Sequence, residues 1–177
     1  MKYFITILIL LFSGIGAFAQ SDVTIGMSID EVKKIYPDLK SSTYENTITL
    51  ERPDNLYGLD DSWGYRFEKG KLKWIYFHKY IDELNDSNFQ KCLFATRQLI
   101  KDYTSLYGSP DSTITGDTTF IDPYKDKHHW GYKVIEARWK IYNDMKMKIE
   151  FTFMGGKGEY HFIVSINVFD KNYPYFE

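Results

Sequence analysis

Residues 63–79, WGYRFEKGKLKWIYFHK, decide the fold. Large apolar side chains recur at every second position on both sides of Lys69-Gly70, the pattern of two strands folded back through a two-residue turn. With that turn, Phe67 pairs with Leu72, Tyr65 with Trp74 and Trp63 with Tyr76. Those six side chains share one face, which the alternation predicts to be the buried one. The other face then carries Arg66, Lys73, Ile75, Phe77 and Lys79.

Upstream, residues 43–50 alternate weakly as a strand, and a loop is expected around Pro53, Asn55 and Gly58. Further upstream, Gly26-Met27-Ser28-Ile29-Asp30-Glu31-Val32 opens a helix. Ser28 and Glu31 have the spacing of a capping box, and Met27 and Val32 that of a hydrophobic staple. Ile29, Val32, Ile35 and Tyr36 share a face of this helix, which Pro37 stops.

Downstream, Asp86 or Ser87 is expected to cap the longest helix, running to Tyr107. Phe89, Cys92, Leu93, Thr96, Leu99, Ile100, Tyr103 and Leu106 recur at three- and four-residue spacing. Gly108 and Pro110 end it. A polar loop over 115–130 follows, then strands near 132–142, 146–154 and 159–169. A three-residue turn after Tyr142 pairs Ile141 with Met147, Trp139 with Ile149 and Ala137 with Phe151, which keeps apolar groups on one face. Gly155, Gly156 and Gly158 turn the chain again and set Phe162, Val164 and Ile166 on that same face.

The fold class is therefore α+β, with helices packed on one face of an antiparallel sheet. The halves repeat an order of helix and about three strands, giving two αβββ-like units at 21–85 and 86–177 within one domain. The opening Gly26-Met27-Ser28-x-x-Glu31-Val32 resembles the helix-opening signature of the β-lactamase-inhibitor-protein-like superfamily, which includes small lipoproteins of outer-membrane assembly. The resemblance implies a tandem αβ fold and a protein-binding or envelope-scaffold role. The chain departs from it in having neither the disulfides of the inhibitors nor the lipidated Cys of the lipoproteins, and the resemblance implies no particular contact residue.

Residues 1–20, MKYFITILILLFSGIGAFAQ, have the basic start, apolar run and small-x-small end of a secretory signal peptide. Its removal leaves about 157 residues, enough for one domain. The expected location is secreted or periplasmic, with no transmembrane span after signal removal. Cys92 is the single cysteine, so no internal disulfide forms and the core holds by packing. The formal charge of −2, or −3 without Lys2, offers no basic field for nucleic acid. An aromatic content of 18% fits strands packed with flat side chains.

Candidate chemistry is sparse. His128 and His129 with Asp122 and Asp126 are metal-ligating types, but adjacent His residues on a strand diverge, and a solvated loop is the plainer reading. Cys92 lies within an apolar stripe, where a buried small hydrophobe is expected rather than a nucleophile. No nucleophile elbow, phosphate loop or zincin helix occurs. No cofactor, metal site or catalytic residue is expected. The expectation is a non-catalytic binding or interaction protein of the cell envelope whose partner, another protein, docks on the open sheet face. Arg66, Lys73, Arg138, Lys140, Tyr142 and Lys148 are its candidate contacts, with Lys140 and Lys148 facing each other across the strands. Alternatives are a carrier with an apolar cavity walled by Trp63, Trp74 and Trp139, or a metal-dependent hydrolase using the 117–129 loop.

Overall fold

The computed structural model describes residues 22–122, 131–141, 145–156 and 159–170. Helix α1 (Ile29–Ile35) is followed by strands β1 (Lys40–Tyr44), β2 (Thr47–Leu56), β3 (Leu59–Glu68) and β4 (Lys71–Ile81). Helix α2 (Asp86–Tyr107) is followed by β5 (Ser112–Thr115), β6 (Gly131–Ile141), β7 (Met145–Gly156) and β8 (Glu159–Asp170). All eight strands form one antiparallel sheet in the order β1-β2-β3-β4-β8-β7-β6-β5. Sequence neighbours pair outward to each edge, and the centre is closed by β4 against β8.

Four strands, not three, follow each helix. The additions are β1 and β5, whose residues are all exposed and so carry no alternation to betray them. Residues 43–50 straddle the β1–β2 turn at Glu45-Asn46 rather than forming one strand. The expected loop at Pro53 is instead the interior of β2, and the turn falls at Tyr57-Gly58, both at positive φ. Pro53 is tolerated because β1 stops pairing at Glu51, leaving β2 an edge where no amide is needed on that side.

The Lys69-Gly70 turn forms as expected, with both residues at positive φ and Phe67 opposite Leu72. Beyond that pair a β-bulge at Lys73 shifts the register: Arg66 faces Trp74, Tyr65 faces Ile75 and Trp63 faces Phe77. One extra residue exchanges the faces of everything after it. Ile75 and Phe77 are therefore buried in the core, and Trp74 and Tyr76 turn to the opposite face.

Both helices pack on one face. The capping box of α1 is present, with Ser28 and Glu31 bonded reciprocally, and Val32 is fully buried. Gly26 and Met27 exchange backbone hydrogen bonds with Leu72, tying the segment before α1 to β4. The cap of α2 is Asn85, which accepts from the Asn88 amide, one residue ahead of expectation. Phe89, Cys92, Leu93, Thr96, Leu99 and Tyr103 face the sheet, but Leu106 is 57% exposed. At the centre, Phe89 meets Phe151 and Phe162 at 5.2 and 5.7 Å between ring centroids, and Phe151 meets Phe162 edge-on. Such pairs are each worth about 0.5–1.5 kcal/mol beyond their burial.

Strands β6 and β7 pair Ile141 with Met145, Trp139 with Met147 and Ala137 with Ile149. The partners on β7 lie two residues earlier than expected, and since two is the side-chain period the expected faces survive. Phe162, Val164 and Ile166 are buried as expected.

Candidate functional site: the open face of the sheet

The face opposite the helices is organised in rows across the strands. One row runs Glu51, Gly64, Tyr76, Asn167, Lys148, Arg138. The next runs Pro53, Ser62, then His78, Ser165, Glu150 and Glu136. On the other side lie Thr49, Arg66, Trp74, Phe169, Lys146 and Lys140. Tyr80, Ile163 and Thr152 follow beyond His78, with Met154 and His161 paired at the end.

Asn167 and Ser165 at the middle of this face are buried, and they are bonded into one network with the half-buried Trp74, His78, Glu150 and Lys148. Trp74 Nε1 donates to Asn167 Oδ1 at 3.1 Å, and His78 Nε2 lies 2.8 Å from the same oxygen. Asn167 Nδ2 donates to Ser165 Oγ, which donates to Glu150, itself paired with Lys148 Nζ at 2.8 Å. Burial holds the His78 pKa below its ordinary value, although its bond to Asn167 opposes this. His78 is accordingly neutral at pH 7, and its Nε2 carries the proton that Asn167 Oδ1 accepts.

The basic candidates are largely engaged. Glu136, only 1% exposed, is bound by Lys133 Nζ at 2.5 Å and Arg138 Nε at 2.6 Å. Burial raises its pKa, but the bonds from Arg138 and Lys133 outweigh burial and hold the carboxyl below its ordinary value. Arg66 lies over the Trp74 ring, 5.8 Å from its centroid, with Glu68 at 3.8 Å. Lys73 pairs with Asp170 at 2.9 Å. Lys140 is exposed and faces Lys146, while Lys148 faces Arg138, so the expected Lys140–Lys148 opposition is replaced by two neighbouring like-charge pairs. Such pairs are unfavourable, and here Glu136 and Glu150 relieve the second of them. Tyr142 lies outside the described residues, as do the 1–20 segment, Asp126, His128 and His129.

The bulge at Lys73 concealed the central residues of this face. Sequence alternation places Trp74 and Tyr76 in the core and does not single out His78 or Glu51. A signal was nonetheless present. Ile75, Phe77 and Ile81 are wholly apolar, whereas Trp74, Tyr76, His78 and Tyr80 each carry a polar tip that core burial would have to satisfy.

A groove of about 130 Å³ crosses the face, lined by Glu51, Asp61, Ser62, Gly64, Tyr76 and His78. Tyr76 lies flat on Gly64: a Cβ there would stand 2.2 Å from Tyr76 Cζ and 2.6 Å from both Cε atoms. On the helix side, a separate apolar cavity of about 80 Å³ lies among Ile75, Tyr103, Met147 and Val168. The tryptophan-walled cavity is not formed, because Trp74 stands on the opposite face from Trp63 and Trp139. Cys92 is fully buried, and burial pushes its thiol up to about 12. Among the described residues no group of three His, Cys, Asp or Glu could hold a metal ion, and no helix is long and apolar enough to cross a membrane.

These features define a class by architecture: an α+β chain with one antiparallel sheet, helices on one face and an aromatic and charged surface on the other. Neither a protein-family model, nor a curated protein, nor a solved structure matches the chain.

Proposed function

We propose that this chain is an exported, non-catalytic binding protein of the cell envelope whose protein partner docks on the open sheet face. The observation that carries the reading is the line Tyr76, His78, Tyr80 on β4, flanked by Arg66 and continued by Ile163, Met154 and His161. Tyr80 and Met154 are 53% and 54% exposed, whereas Thr152 beside them is buried. Aromatic, Arg and Met side chains on a rigid support are the residue types that anchor interfaces. Export follows from reading 1–20 as a signal peptide.

The fold within this proposal is a tandem of two units, 21–85 and 86–177, of the β-lactamase-inhibitor-protein-like kind. Support comes from the element order, a helix and four strands given twice, and from the mirror arrangement about the β4–β8 pair. Each unit is thus αββββ rather than αβββ. Carriage of a small apolar ligand has little support, since about 80 Å³ is well below the roughly 300 Å³ at which ligand pockets begin.

Affinity capture from an envelope extract tests the reading, comparing the mature domain with Tyr80→Ala/Met154→Ala and with Phe94→Ala/Arg97→Ala on the outer face of α2. A protein lost by the first variant and kept by the second is the expected result. Equal retention by both removes the open face from the interaction. Arg138 is left intact, because its loss would strip the buried Glu136 of a partner.

A further inference from the structure

The groove over Gly64 has the chemistry of a cation site. Its floor is the Tyr76 ring, pressed on a residue that must lack a side chain for the ring to lie there. Its rim holds the Glu51 carboxylate, which no hydrogen bond or ion pair engages among the described residues. Lys40 stands opposite Glu51 on β1 without forming an ion pair with it. Asp61 adds a second carboxylate, its Oδ2 3.9 Å from Lys79 Nζ and its Oδ1 accepting from the Ser62 amide. His78 completes the wall and, neutral at pH 7, adds no opposing charge. Of the cations around the groove, Arg66 is turned to Trp74 and Glu68, and Lys148, which acts on His78, is paired with Glu150.

An aromatic face beside an unengaged carboxylate attracts a desolvated cation from two directions. The ring quadrupole favours a cation above it, and the carboxylate accepts charge-assisted hydrogen bonds in its plane. Guanidinium suits this better than ammonium, because it is planar, weakly hydrated and able both to stack and to donate in pairs. We propose that the groove formed by Glu51, Ser62, Gly64, Tyr76 and His78 receives an arginine side chain of the docking partner. This rests on the open-face reading and specifies its chemistry: the partner presents an arginine at this end of the face.

The test is an amide-resolved NMR titration of the mature domain with N-acetyl-arginine amide, with N-acetyl-citrulline amide as the uncharged isostere. Arginine is expected to shift the Ser62, Gly64 and Tyr76 amides saturably. Citrulline is expected to bind at least about tenfold more weakly, as is arginine to the Glu51→Gln variant, whose unchanged spectrum elsewhere shows that it is folded. Equal shifts from citrulline, undiminished binding by Glu51→Gln, or no shift at these amides overturns the proposal. Cross-linking of a partner at Tyr80 with no arginine response here rejects the arginine site alone. Absence of both rejects the docking face as well.

Discussion

Replacing Gly64 by Ala should drive the Tyr76 ring off the sheet. The new methyl would stand 2.2 Å from Tyr76 Cζ, whereas carbon contacts settle near 3.5–4.0 Å. The ring must therefore move by about 1.3 Å or more. It is held by Trp74 at 4.6 Å and His78 at 4.9 Å between centroids. Losing such ring contacts costs about 0.5–1.5 kcal/mol, and an off-rotamer side chain about as much again. Against this, Ala is favoured over Gly inside a strand by about 0.5–1 kcal/mol. The net expectation is a loss of about 1 kcal/mol, with roughly 2.5 kcal/mol as its ceiling. Urea denaturation of Gly64→Ala in the parent and in a Tyr76→Ala background separates the terms. Without the ring, Gly64→Ala should be neutral or stabilising, so the two sites should couple by about 2 kcal/mol. An equal effect in both backgrounds, or stabilisation of the parent, would refute the packing of Tyr76 on Gly64.

Other consequences follow from the core and its buried charges. Phe162→Ala removes the ring shared by Phe89, Phe151 and Phe153 and should cost about 3–5 kcal/mol by denaturation, with Phe162→Leu costing far less. Asn85→Ala should lose about 1 kcal/mol through the α2 cap, and Asn85→Asp should retain most of it. Acid sensitivity should arise in two windows. Since the folded pKa of His78 is depressed, its contribution is present above its ordinary 6.5 and is lost as pH falls below that, a loss His78→Gln should remove. Glu136, also held low, contributes above its ordinary 4.5 and loses this as pH falls through its lowered value, so Glu136→Gln should flatten the stability curve only in that range. Cys92, buried and with its thiol pushed up to about 12, should resist a thiol-disulfide reagent at pH 8 until the chain unfolds.

Periodicity made the long helix and the inner faces of β6, β7 and β8 legible, because burial imposes a repeat that composition cannot hide. Lys69-Gly70 between two strand-like runs made the first hairpin turn legible too, and both residues take the positive φ that such a turn needs. Strands β1 and β5 were not, since wholly exposed edge strands carry no such repeat. The Lys73 bulge defeated the rest. In LKWIYFHKYI (residues 72–81) each alternating set holds large apolar or aromatic residues, Trp74, Tyr76 and Tyr80 in one and Ile75, Phe77 and Ile81 in the other, so neither register is excluded by polarity. What selects the observed one is the satisfaction of polar tips: Trp74 and His78 bond Asn167 on the open face. The candidate basic residues were legible as types but not by role. Only the register shows Arg138 bound to Glu136 and Lys148 to Glu150 rather than free to meet a partner.

The central claim is that the open sheet face, not the helix face, meets the partner. Site-specific photo-cross-linking in cells of the source organism tests it most directly, with a benzophenone amino acid placed at Tyr80 or, on the outer face of α2, at Phe94. Both positions are more than half exposed, at 53% and 55%, so both chains should fold and both probes should reach solvent. The account predicts a discrete protein adduct from position 80 and none from position 94. An adduct from position 94 alone would contradict it.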